Sequence, residues 1–191
     1  MISFLQNTIQ KQISLLQNNL NRLPLAKQII IDKSFLNEEY KTPNSFNNSE
    51  THRELYNNLK TLKCPVLYWF ELDKNKVDVD SIIADFKNFK ENNKGRDSSA
   101  FPFTKDFSDR LKILYLGKVK KDFHLRLVNH LGYSTNPNTV GLQLAHWFDT
   151  GKYGNLTLNY ITLNKEMEQL ISVLEIELAK ELKPLIGKHN N

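Results

Sequence analysis

Apolar residues recur along this chain with two different periods, and the changes between them mark out its elements. Ile2, Leu5, Ile9, Ile13, Leu16 and Leu20 fall at steps of three and four, which predicts an amphipathic helix ending before Pro24. Its polar face is Gln and Asn rather than charge. That suits packing on its own domain or on a partner better than a basic helix lying on a membrane surface. Residues Leu25 to Tyr40 follow neither period. The polar, turn-rich run KTPNSFNNSET, Lys41 to Thr51, predicts an internal boundary, and His52 to Lys60 reads as helix again.

From Pro65 to Leu72 the chain is aromatic and branched (VLYWFEL from Val66 on), the composition of a central strand. Ile82, Ile83, Phe86 and Phe89 give Asp80 to Asn92 the apolar side of a helix, with Asp80-Ser81 available as its cap. Asn93 to Asp106, with Gly95, two serines and Pro102, predicts a long loop. A second strand is expected over Leu111 to Leu116, and a helix over Lys121 to Leu131 stopped by Gly132. A loop over Tyr133 to Pro137 precedes a short helix, Gly141 to Phe148, containing Trp147. A third strand, Leu156 to Leu163, and one long helix, Lys165 to Leu182, close the pattern. Three strands with helices between and after them make an α+β domain, and no internal repeat is visible.

Composition narrows the class only a little. At 191 residues, 40% apolar and 25% charged, the chain can bury one real core with a modest appendage. Its net charge of +5 is compatible with a polyanionic partner. The single cysteine, Cys64, excludes an internal disulfide and a Cys-based zinc site, suits a reducing compartment, and reads as a small core residue beside Pro65. The N-terminal pattern is too polar for a signal peptide, and no apolar run approaches the ~18 residues of a membrane span. A soluble, cytoplasmic protein without a membrane partner is the expectation.

Candidate chemistry collects around two stretches. Tyr115-Leu116-Gly117-Lys118 ends a predicted strand, and a basic helix follows it with Arg126 and His130 four residues apart on one face. Gly117 would permit a close approach or an unusual dihedral in a ligand-facing turn, and Lys118 would project from the same turn. Leu125, Leu127, Val128 and Leu131 supply the buried side of that helix, which places Arg126 and His130 at its border and leaves His124 on the surface. Tyr68 lies mid-strand in the aromatic run. If its strand neighbours that of Tyr115, the two phenols converge. The second stretch is the closing helix, where Glu175 sits at the edge of the stripe Met167, Leu170, Ile171, Leu174 and Leu178, before Pro184. A carboxylate there is partly desolvated and placed as a lone Mg²⁺ ligand, while Glu177 and Glu181 face solvent. An Arg for a phosphate, a phenol or imidazole for a proton, and a metal on Glu175 could together cut a phosphodiester. Signatures of nucleotide-binding loops, zinc proteases, serine hydrolases and calcium loops are absent from the sequence.

The order of these residues resembles the GIY-YIG nuclease superfamily. Val66-Leu67-Tyr68 stands where the GIY tripeptide belongs and Tyr115-Leu116-Gly117 where YIG belongs. Arg126 with His130 resembles the family's helix motif, and Glu175 with Pro184 its metal-binding helix. The likeness spans Cys64 to about Lys188. It implies a small three-stranded, mainly antiparallel sheet flanked by helices, over residues 61–191, behind an N-terminal helical extension over 1–60. It further implies one-metal hydrolysis of DNA with Mg²⁺, or another divalent cation such as Mn²⁺. Tyr68 or Tyr115 would activate or position water, Arg126 would contact the phosphate, and Glu175 would bind the metal. Three departures stand out: Val66 replaces the first glycine, a helical insertion occupies about 73–110, and Gly187 stands where the family often has Asn. Within the insertion, Lys87, Lys90, Lys94 and Arg96 read first as a solvated helix face, with a phosphate-contacting group as the alternative. A non-cutting nucleic-acid-binding or interaction module on the same fold is the alternative, with a protein-interaction scaffold built on the first helix a third.

Overall fold

The computed structural model describes residues 1–37, 39–40, 42–73, 75–76, 78–92, 113–134 and 140–187. The predicted loop Asn93 to Asp106, part of the loop Tyr133 to Pro137, and Lys94 and Arg96 lie outside them. Helix α1 (Ile2–Leu20) leads into β1 (Lys27–Ile31), α2 (Pro43–Asn47) and α3 (Arg53–Lys60). Strand β2 (Val66–Glu71), α4 (Val79–Asn92), β3 (Ile113–Val119) and α5 (Phe123–Leu131) follow. The chain closes with α6 (Thr150–Tyr153), β4 (Leu156–Thr162) and α7 (Ile171–Leu182).

The α+β class is as expected, but the sheet has four strands rather than three, in the order β1-β4-β2-β3 with every pair antiparallel. The extra strand is β1, from the segment without a readable period. In KQIII, Ile29 and Ile31 turn toward the core while Ile30 remains half exposed, so isoleucine on both faces erases the alternation that announces a strand. The segment expected to be a boundary also joins the core. Thr42 caps α2 by accepting from the Ser45 N–H, with Pro43 in the first turn, and Phe46 is buried at 1% exposure.

Other differences are local. Asp78, rather than Asp80-Ser81, caps α4, accepting from the Ser81 N–H at 3.2 Å and the Ser81 hydroxyl at 2.6 Å. The helix expected over 141–148 is only a 3₁₀ turn at Leu144–His146. The long closing helix is divided into a 3₁₀ segment, Lys165–Gln169, and α7, which brings Met167 and Ile171 onto Leu163 in one cluster. Gly132 does end α5, at φ 103°, where a left-handed residue lets the Gly132 and Tyr133 N–H groups reach back to the Val128 carbonyl. Cys64 is only partly buried. Among the described residues, no helix is long and apolar enough to cross a membrane.

Register decides which residues share a face. Tyr68 lies opposite Gly117 and Tyr160, and Phe70 opposite Tyr115 and Leu158. This face packs with Phe123, Leu127 and Leu131 of α5 in the main core. The alternate residues Leu67, Trp69 and Leu116 form the other face, under Leu178, Ala179 and Leu182 of α7. An irregularity opposite Phe70 and Glu71 lets both Leu114 and Tyr115 enter the main core.

Candidate functional site

β3 is an outer strand of the sheet, yet its outer side is covered. Pro184 prevents α7 from continuing. The next two residues lie along β3, with the Leu185 N–H donating to Ile113 O and the Ile186 N–H to Leu114 O, both at 2.9 Å. Farther along the same strand the backbone N–H of Lys118 lies close enough to the Glu175 carboxylate to favour its charged form. Gly117 and Lys118 therefore belong to the strand itself, not to a turn leaving it. Lys118 points to the α7 face, where its ammonium donates to Ser172 Oγ at 2.6 Å.

On the opposite face, Tyr68, Tyr115, Arg126 and His130 form one hydrogen-bond network. The convergence of the phenols follows from the neighbouring strands, with ring centroids 6.2 Å apart. Gly117 makes their packing possible. A Cβ there would lie 2.6 Å from Tyr115 Cε1 and 2.6 Å from Tyr68 Oη, closer than packed atoms come. The glycine is thus needed for a close approach, and what approaches is the pair of phenol rings.

Arg126 reaches both phenols from α5. Its Nε–H donates to Tyr68 Oη at 3.0 Å and its Nη2 to Tyr115 Oη at 3.3 Å, while Nη1 donates to the Val140 carbonyl at 2.7 Å. His130, one turn later, is fully buried rather than at the helix border. The Leu142 N–H donates to its Nδ1 at 3.2 Å, which leaves the ring proton on Nε2 to donate to Tyr68 Oη at 2.8 Å. Tyr68 Oη thus accepts twice. Tyr115 is the phenol toward Glu175, whose charge it feels.

The electrostatics follow from burial. Burial, then the neighbouring Tyr115 oxygen, pushes the Tyr68 phenol well above its usual 10. Burial also raises Tyr115, though the Arg126 guanidinium opposes the shift. Burial followed by the Arg126 charge holds His130 well below 6.5, so the imidazole is neutral. Burial works against the Arg126 charge, but the two phenol oxygens outweigh it and the net direction is upward. Half-buried Glu175 is raised by burial, with Lys118 and Arg126 pulling the other way.

The sequence pattern missed the segment 140–142 as part of this site. Its backbone supplies the Val140 carbonyl to Arg126 and the Leu142 N–H to His130, and Trp147 Nε1 braces it by donating to Leu142 O at 2.7 Å. Gly141 was the available signal: a Cβ there would sit 2.1 Å from the Asn129 carbonyl, so only glycine allows this segment onto α5. His124, expected on the surface, is 4% exposed and packs edge-on against Tyr56, while Leu125 is the residue that faces solvent. Lys87 is exposed and Lys90 partly buried, on α4.

A divalent metal can be tested against these donors. No group of three or more His, Cys, Asp or Glu side chains converges among the described residues, which does not fit a preformed cage such as a structural zinc site. A single partly buried carboxylate does fit Mg²⁺, which keeps several waters and is often held by one or two carboxylates plus substrate phosphates. Compared with protein-family models, curated proteins and solved structures, the chain shows no match. Its own residues must carry the functional reading.

Proposed function

We propose that this protein is a metal-dependent DNA endonuclease that hydrolyses phosphodiester bonds at the Tyr68–Tyr115–Arg126–Glu175 site. The observation that supports it most is the shared network. Two phenols from separate strands, a guanidinium and a neutral imidazole meet at two oxygen atoms, with one carboxylate electrostatically coupled to them. In this reading Glu175 holds Mg²⁺, which supplies charge stabilisation to the phosphoryl oxygens. Three Arg126 N–H groups anchor the guanidinium, leaving two of its five for a phosphate. Tyr115, the phenol on the Glu175 side, orients water at the phosphorus, and Tyr68 passes the orienting effect of His130 to it. His130 is a positioning residue here, because a fully buried neutral imidazole behind Tyr68 does not touch substrate. Lys118, bonded to Ser172 one turn before Glu175, holds the carboxylate in place and partly neutralises it.

One observation favours a second reading, a non-cutting nucleic-acid-binding module. Both phenols are buried and Arg126 already has an internal acceptor for each of its nitrogens, as in a purely structural network. Plasmid nicking with Mg²⁺ or Mn²⁺ separates the two. The wild-type chain should nick DNA only with the metal, and Glu175→Ala should abolish nicking while folding and DNA binding persist. Metal-dependent nicking by the variant would remove Glu175 from the site, and none by the wild-type chain would leave the binding module.

A further inference from the structure

We infer that α1 pairs with α1 of a second copy of this chain. At 100° per residue, Ile2, Leu5, Ile9, Ile13, Leu16 and Leu20 form one stripe along the helix. The stripe does not face the body of the protein. The face that packs inward carries Gln12, Leu15 and Asn19, about a quarter-turn away. Asn19 accepts from Asn164 at 3.0 Å, and Leu15 touches the Leu163–Met167–Ile171 cluster. Gln12 Oε1 is buried there with no hydrogen-bond partner among the described residues. A helix that docks a polar face and leaves its apolar stripe in water is arranged backwards for a monomer.

The exposure is large. Ile2 is 75% exposed, Leu5 59%, Ile9 50%, Ile13 41%, Leu16 39% and Leu20 68%. Together these side chains offer surface of roughly 650 Å², within the roughly 600–1,000 Å² that each partner contributes to a specific protein interface. Monomers rarely leave a contiguous patch larger than a few hundred Å².

The chemistry selects a second copy as the occupant. The steps of three and four between stripe residues are those that seat side chains of one helix between those of another, and a two-fold axis brings the same stripe to both sides. From residue 1 to 21 the only charged side chain is Lys11, off the stripe, so no like-charge pair opposes self-pairing. A helix this poor in Lys and Arg lacks the cationic face that holds amphipathic helices on anionic lipid.

Analytical ultracentrifugation of the full chain over a micromolar-to-submillimolar series tests this, with a parallel flotation assay on neutral and anionic phospholipid vesicles. Wild type should show an about two-fold mass increase with concentration, as a two-fold-symmetric pair requires. The double variant Leu5→Glu with Ile9→Glu should remain monomeric. Both positions are at least half exposed, so its circular dichroism should match wild type, and its melting should match wild type diluted below the pairing range. Wild type that stays monomeric throughout, a double variant that dimerises equally well, or monomeric wild type that floats with vesicles would each overturn the pairing.

Discussion

The two outer strands of the sheet, β1 and β3, occupy equivalent positions and have opposite fates. β1 is mostly exposed, pairs among the described residues only with β4 and carries no ionisable group except Lys27. β3 is buried over Ile113–Gly117, because Leu185 and Ile186 bond along its outer side and α7 lies over one of its faces. An outer strand presents unpaired N–H groups, and what meets them decides its role. On β3 the Lys118 N–H favours the charged form of Glu175, while Tyr115, on the opposite face of the same strand, accepts from Arg126. A covered outer strand can gather chemistry from both faces at its rim, whereas the uncovered β1 only widens the sheet.

The largest expected effect lies on the β3 side. On the proposed function, Arg126→Lys keeps the charge but cannot donate to two phenols and Val140 at once. Cleavage under single-turnover conditions should fall on the order of 10²–10³ while DNA affinity changes little. Cleavage at the wild-type rate would reduce Arg126 to a buried structural cation.

Next comes a direct test of the two strands. Gly117→Ala should lower the unfolding free energy by about 1–3 kcal/mol, since the new methyl meets two rings whose hydroxyls are already tied down. Ile30→Lys on β1, at a half-exposed position, should stay within about 0.5 kcal/mol. Equal effects in urea denaturation would erase the contrast.

Tyr68→Phe removes the oxygen that accepts from both His130 and Arg126. It should cost about 1–3 kcal/mol of stability through two stranded donors, more than Tyr115→Phe, whose bond from Arg126 is the longer one at 3.3 Å. Equal melting temperatures for the two variants would show that Tyr68 is not the centre of the network.

The smallest effect concerns pH. Glu175 has its folded-state value raised above 4.5 by burial, so the folded protein holds its proton more tightly than the unfolded chain. Stability from this group is therefore present below the usual carboxylate range and is lost as pH rises through the raised value. Glu175→Gln should then gain in melting temperature relative to wild type between about pH 4 and 7. A constant difference across that range would mean that Glu175 titrates as an ordinary surface acid.

How much of this was legible varies residue by residue. The α+β pattern, the helix spacing of Arg126 and His130, and the stop at Pro184 are local, so the sequence by itself determined them. Strand alternation also placed Tyr68 and Tyr115 where they would meet once β2 and β3 were neighbours, and the register makes them so. Only tertiary structure could decide the rest. β1 became a strand because β4 had an unpaired side to offer, although its own residues show no period. His124 and His130 are buried because the elements above them arrive from distant sequence, as Tyr56 and Tyr68 do. Lys118 became a support for Glu175 through Ser172, a contact across 54 residues. The stripe on α1 was plain from its spacing, but its exposure was not, because periodicity gives a helix an apolar face without saying which way the face turns. Spacing along a chain fixes which side chains share a face. Which faces meet depends on how the whole core closes.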